Sequence, residues 1–345
     1  MRYIGCKTLL LPNIKSVIEQ HAPNAKSVCD IFSGTATVAR YLKNWYEVYS
    51  NDILYFSYCL QMATVQNPKT PDFRKLAIKE SISSPIQYLN SISTNDMENL
   101  PQAKRFFQNN YSPKGGRMYI TEENALRIDF SRITVEKWYK QGLLNRYEYY
   151  YLVAAIVEGI PFVSNIAGTY GAFSKTWDKR AHKTFQLIEL PVVENGKANK
   201  SYQKDANELI KKISGDVLYI DPPYNERQYL PNYHLLETAA KYDYPALRGV
   251  TGQREYGDKQ KSLFCSKRTV LAVFEDMIQN AKFNHIILSY NTDGIMSTGD
   301  IEKIMKKHGN PSSFEIHYID YRRYKSRQLV SNTSNLKEML VYVGK

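Results

Sequence analysis

Leu218-Tyr219-Ile220-Asp221-Pro222-Pro223-Tyr224 is an apolar run that breaks into an acid, two prolines and an aromatic ring. Asp216 to Ile220 has the length and content of a buried strand. Pro222 fixes its own φ and cannot donate a backbone hydrogen bond, and Pro223 restricts the residue before it. The chain is therefore stiff just past a strand end, where open α/β sheets hold their ligands. Asp221 and the Pro222 carbonyl can accept hydrogen bonds there, and Tyr224 offers a flat face. Two rigid acceptors beside a ring suit a planar group that carries an amine. A proline turn that merely closes a strand is the competing reading of Pro-Pro. The residues upstream decide between the two.

Lys26 to Phe32 is a candidate strand and Thr35 to Lys43 a short amphipathic helix. Glu47 to Ser50 is a second strand and Leu54 to Val65 a second helix. This rhythm implies parallel strands joined by right-handed crossovers. Between the first strand and helix stands Asp30-Ile31-Phe32-Ser33-Gly34-Thr35-Ala36. Gly34 permits a tight turn and close approach of a ligand, and the helix start supplies free amides. About twenty residues on, Asp52 follows the second strand, at the spacing where an acid grips ribose hydroxyls. Its alternative is a helix cap before Ile53. One glycine turn without a phosphate-type loop points to a nucleoside cofactor that lacks a pyrophosphate. S-adenosylmethionine is such a molecule, its amino-acid end held near Asp30 and Gly34.

The 345 residues are 43% hydrophobic, as in a globular protein, and no apolar run approaches a membrane span. Cys6, Cys29, Cys59 and Cys265 are scattered, and no signal-peptide pattern opens the chain. A reducing, cytoplasmic setting without a metal is the expectation. The 46 lysines and arginines against 34 acids give +12, which favours a polyanionic partner.

The middle of the chain departs from the α/β rhythm. Residues 72–160 look helical, with Tyr147 to Val157 the clearest run, and Asn109 to Arg117 reads as a polar loop. Asn165 to Lys183 is rich in glycine, aromatics and bases, including Lys175, Lys179 and Arg180. Such a loop either packs on the surface or stacks on bases. The rhythm resumes near 205, with helices at Tyr233–Lys241, Val270–Ala281 and Asp300–Lys307. His285 to Tyr290 is a strand, and the alternating runs Phe314–Tyr321 and Met339–Val343 form a closing antiparallel hairpin. Arg322, Arg323, Lys325 and Arg327 in its connection read as a phosphate contact or a solvated loop tip.

Taken in order, these motifs resemble those of the Dam-type adenine-specific DNA methyltransferases. The order is the one that places target recognition between the cofactor motif and the catalytic motif. Tyr3-x-Gly5-x-Lys7 is similar to that family's N-terminal motif, and Asp30-x-Phe32-Ser33-Gly34-Thr35 to its cofactor motif. Asn51-Asp52 resembles the ribose motif, and Asp221-Pro222-Pro223-Tyr224 the catalytic tetrapeptide, with Asp221 also beside the cofactor. His285 to Asn291 resembles the strand behind the base pocket, with Tyr229 and Tyr290 as candidate walls. Ala36 stands where the cofactor turn often has a second glycine.

The resemblance implies a Rossmann-like mixed sheet with an inserted, largely helical recognition region. Residues 1–71 and 205–345 would form the catalytic domain. Residues 72–204 would form the insertion, with about 117–165 packed on the catalytic sheet. The implied reaction is methyl transfer from S-adenosylmethionine to the N6 amine of a flipped adenine in duplex DNA. Lys175, Lys179, Arg180, Arg322, Arg323 and Lys325 would contact DNA. A monomer or weak dimer is expected, paired with a restriction endonuclease or acting alone. An RNA adenine, a protein glutamine, or a binding-only relative are the alternatives.

Overall fold

The strand that ends at Ile220 lies inside a seven-stranded sheet in the computed structural model, which describes residues 7–320 and 337–345. Its strands are β1 (Ser27–Asp30), β2 (Glu47–Asn51), β3 (Lys200–Tyr202), β4 (Ser214–Ile220), β5 (Lys282–Asn291), β6 (Glu315–Asp320) and β7 (Lys337–Gly344). Their spatial order is β3-β2-β1-β4-β5-β7-β6. β1 pairs in parallel with β2 and β4, and β4 with β5. β7 is antiparallel to both β5 and β6, so the expected closing hairpin is present in a mixed sheet. From β1 the chain winds outward to β2 and β3, then returns to β4 and winds the other way. The strand order therefore reverses between β1 and β4, where open sheets leave a crevice at their carboxyl ends.

Two compact units divide the described chain, one comprising residues 7–53, 202–228, 261–320 and 337–345, the other 54–201 and 229–260. In the sheet unit, helix Leu11–His21 starts with Pro12 in its first turn and buries Ile14, Val17 and Ile18 along one face. Helix Val270–Asn280 buries Val270, Phe274, Met277 and Ile278 at the same helical spacing. These side chains meet Leu218, Ile220, Ile286 and Leu288 from the strands in one apolar core. Ser297 caps helix Thr298–His308 by accepting from the Asp300 amide at 3.1 Å.

The other unit is largely helical. Its helix Arg146–Gly159 opens with a capping box between Asn145 and Glu148. Helix Glu122–Lys140 opens on Thr121. Arg132 is fully buried, and its Nε donates to the Ala239 carbonyl at 2.8 Å, at the end of helix Tyr229–Lys241. No helix among the described residues is long and apolar enough to cross a membrane.

The division differs from the boundaries expected at 71/72 and 204/205. Helix Tyr55–Gln61 packs on helices Arg146–Gly159 and Tyr229–Lys241, all in the helical unit. The Phe56 amide donates to Glu237 at 3.0 Å there. Residues 117–165 fall wholly within that unit. Asn109 to Arg117 is not simply a loop, because Phe106–Tyr111 is helical. The distant Asp129 carboxylate receives the Phe107 and Gln108 amides at 2.8 and 2.9 Å and so caps that helix. Helix Leu11–His21 and strand β3 lie in stretches for which the sequence suggested no element.

Candidate active site

β1 ends at Asp30, and the turn after it is held by its neighbours in the sheet. The Ile31 amide donates to the Tyr219 carbonyl of β4 at 3.2 Å, and the Ser33 amide to the Asn51 carbonyl at 2.8 Å. Asn51 Nδ2 returns a bond to the Ile31 carbonyl at 3.1 Å. Gly34 (φ 51°) and Ala36 (φ 59°) both adopt left-handed backbone. Ala36 is the position where a glycine often stands, and the methyl group there costs about 1–2 kcal/mol of backbone strain. Thr35 bonds Thr37 at 2.8 Å, and the Phe32 ring meets Phe264 edge-on at 5.0 Å.

Asp30 is 1% exposed. Its Oδ2 accepts from Ser33 Oγ at 3.0 Å, while Oδ1 has no hydrogen-bond partner among the described residues. Burial, reinforced by the nearby charge of Asp221, pushes the carboxyl up to about 8 against the pull of Ser33. Asp52 Oδ2 accepts from the Gly34 amide at 2.9 Å, which ties the two candidate cofactor motifs together. The next helix starts at Tyr55 with Leu54 at its N-cap.

Across the reversal from Asp30, β4 delivers Asp221 into a turn whose Pro222 and Pro223 are buried. Tyr224 Oη donates to Asp221 Oδ1 at 2.6 Å. Lys7 Nζ lies 3.2 Å from the same oxygen and 3.4 Å from Glu338 Oε2, and it also bonds the Tyr224 hydroxyl. Among the described residues both of these partners of Asp221 fall on Oδ1. Ser289 Oγ stands 3.4 Å from the Tyr224 hydroxyl. The Tyr290 ring packs against Tyr224 at 4.8 Å between centroids and 65° between planes. Tyr290 is itself pinned, because its hydroxyl accepts from the Met296 amide at 3.2 Å.

The charges in this cluster are interdependent. Burial raises Asp221, opposed by Lys7 and Tyr224. Burial raises Glu338 as well, opposed by Lys7 and reinforced by Asp221. Burial and the Asp221 charge hold the Tyr224 hydroxyl far above its ordinary range, so it stays protonated and donates. One lysine thus serves two buried acids.

The sequence picks out Asp30, Ser33, Gly34, Asp52, Asp221 and Tyr224, and the fold brings them to the carboxyl ends of β1, β2 and β4. Lys7, read as part of a cofactor motif, has its ammonium on the candidate catalytic carboxylate. Tyr3, Gly5, Arg322, Arg323, Lys325 and Arg327 lie outside the described residues. Lys175 and Lys179 are exposed on the helical unit. Arg180 instead donates to the Ile166 carbonyl and sits 3.5 Å from Asp178. The loop is braced further by buried Asn165, which bonds the Met118 and Ser174 carbonyls at 3.0 Å and accepts from the Asp178 amide at 2.9 Å. Tyr229 belongs to the helical unit, where its ring faces Tyr233. Glu338 escapes the sequence reading. Its only signal is a charge on the same alternating face of β7 as Leu340 and Tyr342.

Residues 3–304 match the family model described as D12 class N6 adenine-specific DNA methyltransferase. The chain is 46% identical over 349 residues to the type II methyltransferase M.FokI of Planomicrobium okeanokoites, covering 100% of this chain and 53% of that protein. It is 43% identical to the modification methylase StsI of Streptococcus sanguinis, covering 99% and 52%. Against the type II methyltransferase M.NlaIII of Neisseria lactamica the identity is 38%, covering 94% and 93%. The chain spans about half the length of the first two relatives.

Proposed function

This chain belongs to the D12 class of N6 adenine-specific DNA methyltransferases, and from that premise we propose that it transfers a methyl group from S-adenosylmethionine to N6 of adenine in duplex DNA. One observation carries the reading: a carboxyl stands on each side of the β1/β4 reversal, Asp30 with one unpartnered oxygen among the described residues toward the donor, and Asp221, held through Oδ1, toward the acceptor.

The residues after β1 and β2 fit the donor. The orphaned Asp30 oxygen matches an ammonium, since a buried carboxylate needs a cation. Gly34 presents no side chain at the turn, and Asp52 is placed for ribose hydroxyls. When bound, the donor supplies an electrophilic methyl group on a sulfonium.

Adenine N6 is a weak nucleophile because its lone pair is delocalised into the ring. Asp221 Oδ2 and the Pro222 carbonyl accept its two hydrogens and so favour a tetrahedral, reactive nitrogen. Lys7 and Tyr224 hold Asp221 from the other side through Oδ1. This arrangement is electrostatic preorganisation, set before substrate arrives. As the methyl group passed from sulfur to nitrogen, its S–CH3 bond breaking as N6–CH3 forms, positive charge would build on N6 and one N6 proton would leave toward Asp221. The base must first be extruded from the duplex, which costs a few kcal/mol. Stacking on the Tyr224 face returns about 1–3 kcal/mol.

We assign target recognition to the helical unit, with Lys175 and Lys179 on the DNA backbone. As its StsI relative is a modification methylase, this chain reads as the methylating member of a restriction–modification pair, working inside the cell without a stable complex. The test offers labelled donor to duplex DNA, RNA and protein in parallel. Label in N6-methyladenine from the DNA alone supports the proposal, whereas label in RNA or protein and none in DNA overturns it.

A further inference from the structure

We propose that His21, Glu315 and His317 form a binding site for one divalent transition-metal ion of the zinc class, away from the methyl-transfer chemistry. The three come from the end of helix Leu11–His21 and from strand β6. His21 Nε2 lies 3.4 Å from His317 Nε2 and 3.4 Å from Glu315 Oε2, and His317 Nε2 lies 3.5 Å from the same oxygen. Ligands about 2.0–2.2 Å from a tetrahedral ion are separated by about 3.3–3.6 Å along each edge. All three edges of this triangle fall in that range, so the three atoms form one face of a tetrahedron.

Hydrogen bonding accounts for the triangle less well. With both imidazoles neutral, any nitrogen that carries a proton points at its neighbour, and at most two edges hold a hydrogen. A single cation satisfies all three edges. The His21 ring is also fixed in place, lying over Tyr342 at 3.8 Å and 15°, with the Tyr342 hydroxyl bonded to His285 Nδ1 at 2.9 Å. Glu315 is exposed and His317 partly so, which leaves the fourth vertex to water.

Position gives the ion a role. Helix Leu11–His21 is about 16 Å long at 1.5 Å per residue. Just before it, Lys7 reaches Glu338 on β7, and at its far end His21 reaches Glu315 and His317 on β6, the strand paired with β7. An ion would clasp the far end of the segment whose near end holds the Asp221 carboxylate. The scattered cysteines give no hint of this, and the two histidines are 296 positions apart, beyond any spacing motif.

The test uses the full chain stripped with a chelator and titrated with Zn2+ by calorimetry and with Co2+ by visible absorption. The expected result is one ion per chain, the intense d–d band of four-coordinate Co2+, and a rise in the thermal midpoint with zinc. His21→Ala and His317→Ala should each weaken zinc binding about a hundredfold or more. Glu315→Gln, a change at a half-exposed strand position, should retain the fold and weaken binding about tenfold. The proposal is overturned if no saturable one-to-one uptake occurs, or if uptake is unchanged in Glu315→Gln and His21→Ala.

Discussion

Lys7→Met is the most searching perturbation of this site. Lys7 is 4% exposed and faces two acids, Asp221 at 3.2 Å and Glu338 at 3.4 Å. Methionine retains much of the bulk and removes the charge. Breaking a buried ion pair from one side costs about 3–5 kcal/mol, because the partner charge stays buried and unpaired. The loss must depend on pH. Both carboxyls already lie above their ordinary values, and Lys7 is the chief influence pulling each down. A carboxyl raised in the folded state binds more protons there than in the unfolded chain. Its contribution to stability therefore falls as pH rises from the unfolded value toward the folded one. Without Lys7 both folded values climb further, so the penalty is smaller at pH 5 than at pH 8. Urea unfolding at those two pH values measures it. The acid limb of kcat should move to higher pH in the same variant, since Asp221 must be ionised to accept the amine. Adding Glu338→Gln removes one of the orphaned charges and should recover about 0.5–3 kcal/mol as coupling. Equal stability of wild type and variant at both pH values, with an unmoved acid limb, would refute this reasoning.

Asp52→Ala should weaken binding of S-adenosylhomocysteine about tenfold or more while leaving the fold intact, and unchanged affinity by calorimetry would remove its ribose role. With its folded value near 8, Asp30 is mostly protonated at pH 7, and ionising it there costs about 1.4 kcal/mol. Binding of the cationic donor should therefore release close to one proton at pH 7, seen as a buffer-dependent calorimetric enthalpy, and should tighten as pH rises toward 8. Asp30→Asn should abolish that release. Lys175→Ala with Lys179→Ala should lower the salt slope of DNA binding by about two units, whereas an identical slope would place the loop off the DNA backbone. A Cβ on Gly294 would sit 2.1 Å from the Tyr290 ring, so Gly294→Ala should displace that ring from Tyr224 and reduce activity more than donor affinity.

The parts of the site that local chemistry specifies were legible in the sequence. A strand running into Asp-Pro-Pro-Tyr, a glycine turn after Asp30, and an acid after the second strand are contiguous signals, and the sheet places all three where expected. What stayed hidden depends on pairing across the chain. Glu338 reaches the site because β7 runs antiparallel to β5 with Glu338 opposite Asn291, a register no local pattern announces. Lys7 meets Asp221 across most of the chain, and its own neighbourhood contains nothing acidic. Helix Tyr55–Gln61 shows how a correct helix can join a different unit. Its periodicity marks an apolar face, but periodicity is silent on which partner covers that face. The helix at Phe106–Tyr111 has no capping signal of its own because its cap, Asp129, lies in another helix.

The most direct test of the central claim is single-turnover methylation of duplex DNA at saturating donor, read as N6-methyladenine, for wild type and Asp221→Ala side by side. Holding N6 between the carboxylate and the Pro222 carbonyl predicts that the variant binds donor normally and transfers methyl about a thousandfold more slowly. Transfer at close to the wild-type rate would mean that the carboxylate at 221 does not prepare the amine, and the mechanism built on it would be wrong.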